Sequence, residues 1–218
     1  MSQFFEIHPE TPQLRLIRRA AEILRDGGVM AYPTDSTYAL GCQVGEKSAA
    51  DRIRRLRGDS GEHKLTLVVR DLSELAIYAR VEKPAFRLLK ALMPGPYTFI
   101  LPATREVPRR LVHPRRKTIG IRAPAHPIVQ ALLEELGGPL MSASLILPGN
   151  ELPETDPELM RPRIGHGVDL IIDGGPCGVE PTTVVDLTAE PTVVRAGKGD
   201  VQRIEAVRSV REGVRLQA

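Results

Sequence analysis

Serine, threonine and arginine recur in this chain at the ends of its apolar runs. Thr34 and Ser36 follow Val29 to Tyr32, Arg122 closes Thr118 to Arg122, and Ser142 and Ser144 close Leu140 to Ser144. Thr182 and Thr183 open the run to Leu187, and Arg195 closes Thr192 to Arg195. One hydroxyl at a strand end commonly serves as a turn or cap former. Several such ends on one sheet point to another chemistry, because hydroxyls and backbone amides ligate phosphate or carboxylate oxygens and a guanidinium bridges them in bidentate fashion. Open α/β sheets place ligands at the carboxyl ends of their strands. The pattern therefore predicts a strand-end site for an anionic, phosphorylated ligand, a nucleotide being the fitting class.

Other chemistries are not written here. No G-x-x-x-x-G-K-[ST] loop, G-x-G-x-x-G fingerprint, H-E-x-x-H helix or G-x-S-x-G elbow occurs. His126 precedes Pro127 at a helix start and is assigned to capping or packing. His8, His63, His113 and His166 are isolated, which argues against a hydrolase triad. Cys42 and Cys177 are too few for a disulfide framework and lack zinc-site spacing. No metal ligand set is assigned.

Those strand ends need elements to hold them. Leu14, Ile17, Ala20, Ala21 and Leu24 recur at helical spacing, with Gly27-Gly28 as the stop. Further helices are predicted over Ala49 to Leu56, Leu72 to Tyr78, Ala85 to Leu92, and from His126-Pro127 to Gly137-Gly138. Strands are predicted at Val29 to Tyr32, Leu65 to Val69, Tyr97 to Leu101, Thr118 to Arg122, Leu140 to Ser144, Val168 to Ile172, Thr183 to Leu187 and Thr192 to Arg195. Their connections mix crossover helices with short turns, so the expected fold class is α/β, a twisted mixed sheet flanked by helices. Residues 1–205 are expected to form one domain. Residues 206–218 are read as a C-terminal tail, its last dozen residues as an exposed helix, and Leu147 to Arg163 as a mobile loop with one short helix.

The 218 residues are 42% hydrophobic and 26% charged, an ordinary globular composition. The longest apolar runs fall far short of the ~20 residues of a membrane span, and the N-terminus lacks the order of a secretory signal. A cytoplasmic, monomeric protein is expected, with no membrane partner. The net charge of +3 conceals two basic clusters, Arg52, Arg54, Arg55 and Arg57, then Arg105, Arg109, Arg110, Arg115, Arg116 and Lys117. Polyanions are plausible partners, although no aromatic residues interleave to stack on bases, and solvated charged faces remain the alternative.

The order Tyr32-Pro33-Thr34-Asp35-Ser36, Pro94-Gly95-Pro96-Tyr97-Thr98, Gly120-Ile121-Arg122, Ser142-Ala143-Ser144, Thr182-Thr183-Val184-Val185-Asp186 and Arg195-Ala196-Gly197 resembles the YrdC/YciO family. The resemblance runs from about Phe4 to Asp200, and the Met1 to Phe5 opening with Arg70 to Leu75 looks like the YciO branch. It implies the YrdC-like α/β twist with one large basic cavity. It also implies a threonylcarbamoyl-AMP synthase-like function, in which L-threonine, bicarbonate and ATP with Mg²⁺ give threonylcarbamoyl-AMP and pyrophosphate for the N6-threonylcarbamoyl modification of adenosine in tRNA. Carried over by position, Ser36, Arg122, Ser142 and Thr182 fall around the threonine, with Arg122 on its carboxylate. Thr118, Ser144 and Arg195 fall around the ATP, and Arg57 stands where the family usually has a lysine. No residue is assigned as nucleophile or base.

Three positions depart from the family pattern. Asp59 stands for an arginine, Ile146 for an asparagine and Val68 for a histidine. These departures keep two alternatives open. One is an RNA-binding protein of the YciO type, contacting double-stranded RNA, tRNA or rRNA through the Arg105 to Lys117 stretch. The other is an adenylate-forming enzyme for a different small acid.

Overall fold

The first helix shows how the sequence builds this molecule. Ile17, Ala20, Ala21 and Leu24 form one stripe at 3.6-residue spacing and are all buried in α1 (Leu14–Arg25), which ends where Gly27 takes φ +82°. The computed structural model describes residues 2–59 and 65–207. In chain order the remaining elements are β1 (Gln3–Glu6), β2 (Val29–Tyr32), β3 (Ala39–Gln43), α2 (Lys47–Arg57), β4 (Thr66–Val68), α3 (Leu72–Tyr78), α4 (Lys83–Leu92), β5 (Tyr97–Pro102), β6 (Thr118–Arg122), α5 (Pro127–Leu136), β7 (Leu140–Ser144), α6 (Pro157–Ile164), β8 (Leu170–Asp173), β9 (Thr183–Asp186) and β10 (Thr192–Arg195). Residues 201–207 are helical.

All ten strands belong to one sheet, ordered β1-β8-β2-β3-β7-β4-β6-β5-β9-β10. Four pairs are parallel (β1 with β8, β2 with β8, β4 with β6, β5 with β9) and the other five antiparallel, so the sheet is mixed, as expected. Two strands escape sequence reading. β1 is a short edge strand with no alternation, and β3 carries Ala39 and Gly41, poor strand formers that are held by pairing on both sides. The predicted short helix after Leu147 is α6, which runs past Arg163 to Ile164. The predicted terminal helix and most of the tail, with His63 and Lys64, lie outside the described residues.

The two faces of the sheet differ. One is covered by α2, α3, α4 and α6 and buries Ala31, Leu40, Leu67, Phe99, Ile121, Met141, Ile171 and Val185. On the other, α1 and α5 pack over Met30, Tyr32, Val68, Leu140, Leu170 and Ile172, which belong to the β8-β2-β3 side and its margin. Among the described residues no helix lies over the rest of that second face. β5 and β9 show this directly: Tyr97, Phe99, Leu101, Thr183 and Val185 are buried, while Thr98, Ile100 and Val184 between them are not.

Candidate functional site

The uncovered half-face is lined by small and hydroxylated residues. β6 alternates Thr118, Gly120 and Arg122 toward it with Ile119 and Ile121 toward the core. Register carries the same face across the sheet, with Thr66 opposite Ser142, Val68 opposite Arg122, Ile100 opposite Gly120 and Thr98 opposite Val184. Arg57 arrives from the last turn of α2, and Arg195 from the end of β10.

Six of the eight expected residues, Arg57, Arg122, Ser142, Ser144, Thr182 and Arg195, line one cavity of about 220 Å³. Ser36 stands at its edge, its Oγ 3.3 Å from Arg122 Nη2, which donates to it. Thr118 lies in an adjoining hollow of about 360 Å³ that shares Thr66, Thr98 and Val184 as common walls. Thr66 and Thr98 were not singled out by sequence reading, whereas Asp35 belongs to the turn after Tyr32 that it marked. Period-2 alternation in Tyr97-Thr98-Phe99-Ile100-Leu101 was the available signal for Thr98.

The hydroxyls are held in place. Thr34 Oγ1 accepts from the backbone N–H of Ser36 and of Thr37, both at 3.2 Å, and donates to the Thr37 carbonyl at 2.6 Å, fixing the turn after β2. Ser142 Oγ donates to the Leu40 carbonyl at 3.1 Å and lies 2.7 Å from Tyr32 Oη. Thr98 and Thr182 share a hydrogen bond of 2.8 Å, and Arg195 Nη2 donates to the Thr182 carbonyl at 3.0 Å.

The arginines are not equivalent. Arg122 and Asp35 form a buried ion pair, and Asp35 Oδ2 also accepts from the Ala125 N–H at 2.8 Å. Arg57 Nη1 lies 3.7 Å from Asp59 Oδ2, and burial lowers its pKa while Asp59 opposes that shift. The Nε atoms of Arg57 and Arg122 are buried with no acceptor among the described residues. Arg195 is exposed. The site can thus receive anions at several points and orient them through hydroxyls. Among the described residues Ser142 is not activated by its neighbour Tyr32, whose pKa is pushed up to about 12 by burial, so that it is no base near neutral pH. His126 makes no capping hydrogen bond. Its ring Nδ1 is buried without a partner, and burial lowers its pKa although Asp35 opposes the shift. Val68 is fully buried under α1 and α5, so that departure belongs to the core and not to the cavity.

Comparison with known proteins agrees with this fold. Residues 22–197 match the Sua5/YciO/YrdC family model, described as "Telomere recombination". The chain is 58% identical over 203 residues to "Uncharacterized protein YciO" of Escherichia coli K12, covering 93% of this chain and 98% of that protein. It is 34% identical over 183 residues to a threonylcarbamoyl-AMP synthase of Nitrosococcus oceani, covering 84% and 93%. The crystal structure of E. coli YciO superimposes with a TM-score of 0.89 over 93% of this chain and 99% of that one. Sua5 of Pyrococcus abyssi complexed with L-threonine, 29% identical, gives 0.86 over 94% of this chain and 61% of the longer Sua5 chain.

Proposed function

The chain belongs to the Sua5/YciO/YrdC family, and on that premise we propose that it binds L-threonine and ATP and joins them, with bicarbonate, into threonylcarbamoyl-AMP for tRNA modification. The observation that carries this proposal is the single cavity gathering Arg57, Arg122, Ser142, Ser144, Thr182 and Arg195 on the bare half-face. Arg122, with Ser36, Ser142 and Thr182, takes the threonine carboxylate end. Arg57, Thr118, Ser144 and Arg195 take the nucleotide.

The chemistry asks for positioning more than for a nucleophile. Threonine's amine nitrogen bonds to the bicarbonate carbon with loss of water, giving a carbamate. A carbamate oxygen then attacks the α-phosphorus, and the bond to pyrophosphate breaks with its electron pair leaving on pyrophosphate. Cationic and hydroxyl donors that bring two anions together and spread the phosphate charge supply what such a step needs. Among the described residues no group of three or more His, Cys, Asp or Glu could hold a metal. Mg²⁺ would come in on the nucleotide's own phosphates, where it would neutralise their charge.

The test is pyrophosphate release by the purified chain with ATP, bicarbonate and threonine. Threonine-dependent release is expected, and none above the threonine-free blank overturns the proposal. Asp59 places a carboxylate beside Arg57, so Asp59→Arg combined with Ile146→Asn is expected to raise turnover by about tenfold or more, one charge-assisted contact being worth ~1.5–3 kcal/mol.

A second reading, RNA contact, is favoured by one observation. Arg105, Arg109, Arg115, Arg116 and Lys117 are exposed on one loop, and its Arg116 and His113 border the hollow next to the cavity. RNA affinity should then fall steeply with salt. Binding insensitive to salt would count against it.

A further inference from the structure

We propose that Asp35 sorts the anions of this site: by neutralising Arg122 from behind, it reserves that arginine for a carboxylate and leaves phosphates to the Arg195 end. The inference rests on the proposed function to the extent that a carboxylate and phosphates share the cavity.

Asp35 does not itself line the cavity, whereas Arg122 does. Both are more than nine-tenths buried, with side-chain exposures of 9% and 8%. Both carboxylate oxygens of Asp35 are engaged, Oδ1 by Arg122 and Oδ2 by the Ala125 N–H. The turn that carries it is pinned by Thr34. Asp35 therefore cannot swing aside when a ligand arrives, and its charge stays beside whatever Arg122 binds.

That fixed charge changes what Arg122 can hold. A paired arginine is close to neutral as a unit, but Arg122 still lines the cavity and presents guanidinium N–H donors to it. A monoanionic carboxylate needs little more than such donors. A polyphosphate brings several charges, and in a poorly solvated site each is repelled by Asp35 nearly as strongly as Arg122 attracts it. The other cavity arginines form a gradient away from this point. Arg57 faces Asp59 at 3.7 Å, a longer and looser contact, and Arg195 donates to the Thr182 carbonyl with no carboxylate in ion-pair range among the described residues. Positive charge left for phosphate thus rises from Arg122 through Arg57 to Arg195. Asp35 acts through Arg122 and is a specificity-determining residue that touches no substrate.

Calorimetric titration of the full chain with L-threonine and with pyrophosphate tests this. In the native chain each should bind equally well whether or not the other is saturating. Asp35→Asn keeps an acceptor for Ala125 but removes the charge. It should bind pyrophosphate about tenfold more tightly, the factor of one charge-assisted contact, and pyrophosphate should now displace threonine. Adding Arg122→Gln to that variant should return pyrophosphate affinity to within about twofold of native and weaken threonine at least about tenfold. Pyrophosphate affinity that stays native in Asp35→Asn, or that in the double variant stays as tight as in Asp35→Asn or drops more than about twofold below native, overturns the sorting role. The double variant leaves no charge unpaired, so it supplies the test if Asp35→Asn does not fold. Failure of threonine to bind the native chain would sink the proposed function alone, since the pyrophosphate gain is read without threonine.

Discussion

Arg122 and Tyr32 illustrate what burial does to single polar side chains in this protein. A buried guanidinium is costly unless paired, and Asp35 supplies the partner from a loop far away in sequence. Tyr32 is fully buried, hydrogen-bonded to Ser142 and raised to about 12. The sign of the resulting pH dependence follows from which state ionises first. Between the ordinary tyrosine value near 10 and about 12, the unfolded chain loses the phenolic proton and the folded chain keeps it, so stability falls as pH rises through that window. The contribution, present in full below pH ~10, amounts to on the order of 2 kcal/mol by pH 12. Denaturant midpoints at pH 9 and pH 11.5 should drop less in Tyr32→Phe than in the native chain; equal drops would refute this.

At the scale of the element, the site is a property of strand faces. β6 places Thr118, Gly120 and Arg122 on one side because successive side chains alternate, and Gly120 keeps the floor low where Thr66 and Thr98 approach. A Cβ at Gly120 would meet Thr66 Oγ1 at 3.4 Å, an ordinary contact, so alanine fits. A leucine there would extend into the adjoining hollow. Gly120→Leu is expected to weaken nucleotide binding by about tenfold or more while leaving the melting temperature within a few degrees, since no core contact is lost. Retained nucleotide affinity in a folded variant would show that the hollow is not used. The elements themselves were largely legible: α1, α4 and α5 follow from helical spacing and their stop signals, and β5 to β7 from apolar runs with turn residues. β3 was not, because Ala39, Gly41 and Gln43 carry no strand signal of their own and are held by β2 and β7 on either side.

For the whole molecule, the decisive feature is that α1 and α5 cover only part of one sheet face. Leu24 of α1 is fully buried in that covered part, and Leu24→Ala should cost ~2–5 kcal/mol in denaturant unfolding. Leu159→Ala, at a side chain 68% exposed, should change stability by less than about 0.5 kcal/mol. Similar losses from both would contradict the layer arrangement. No helix among the described residues is long and apolar enough to cross a membrane, as the short apolar runs predict.

The sequence by itself determined the element types, the mixed α/β class, the family, and the residue kinds at the strand ends, because periodicity, turn chemistry and ordered short motifs are local. Only the tertiary structure decided that β3 and β7 separate β2 from β4, and that Arg57 of α2 meets Ser144, Thr182 and Arg195 in one cavity. It also decided that Asp35 stands behind Arg122, while Val68 is core. Those outcomes depend on strand order and on which half-face the helices leave bare. Both are set by packing between residues distant along the chain, which no local pattern encodes.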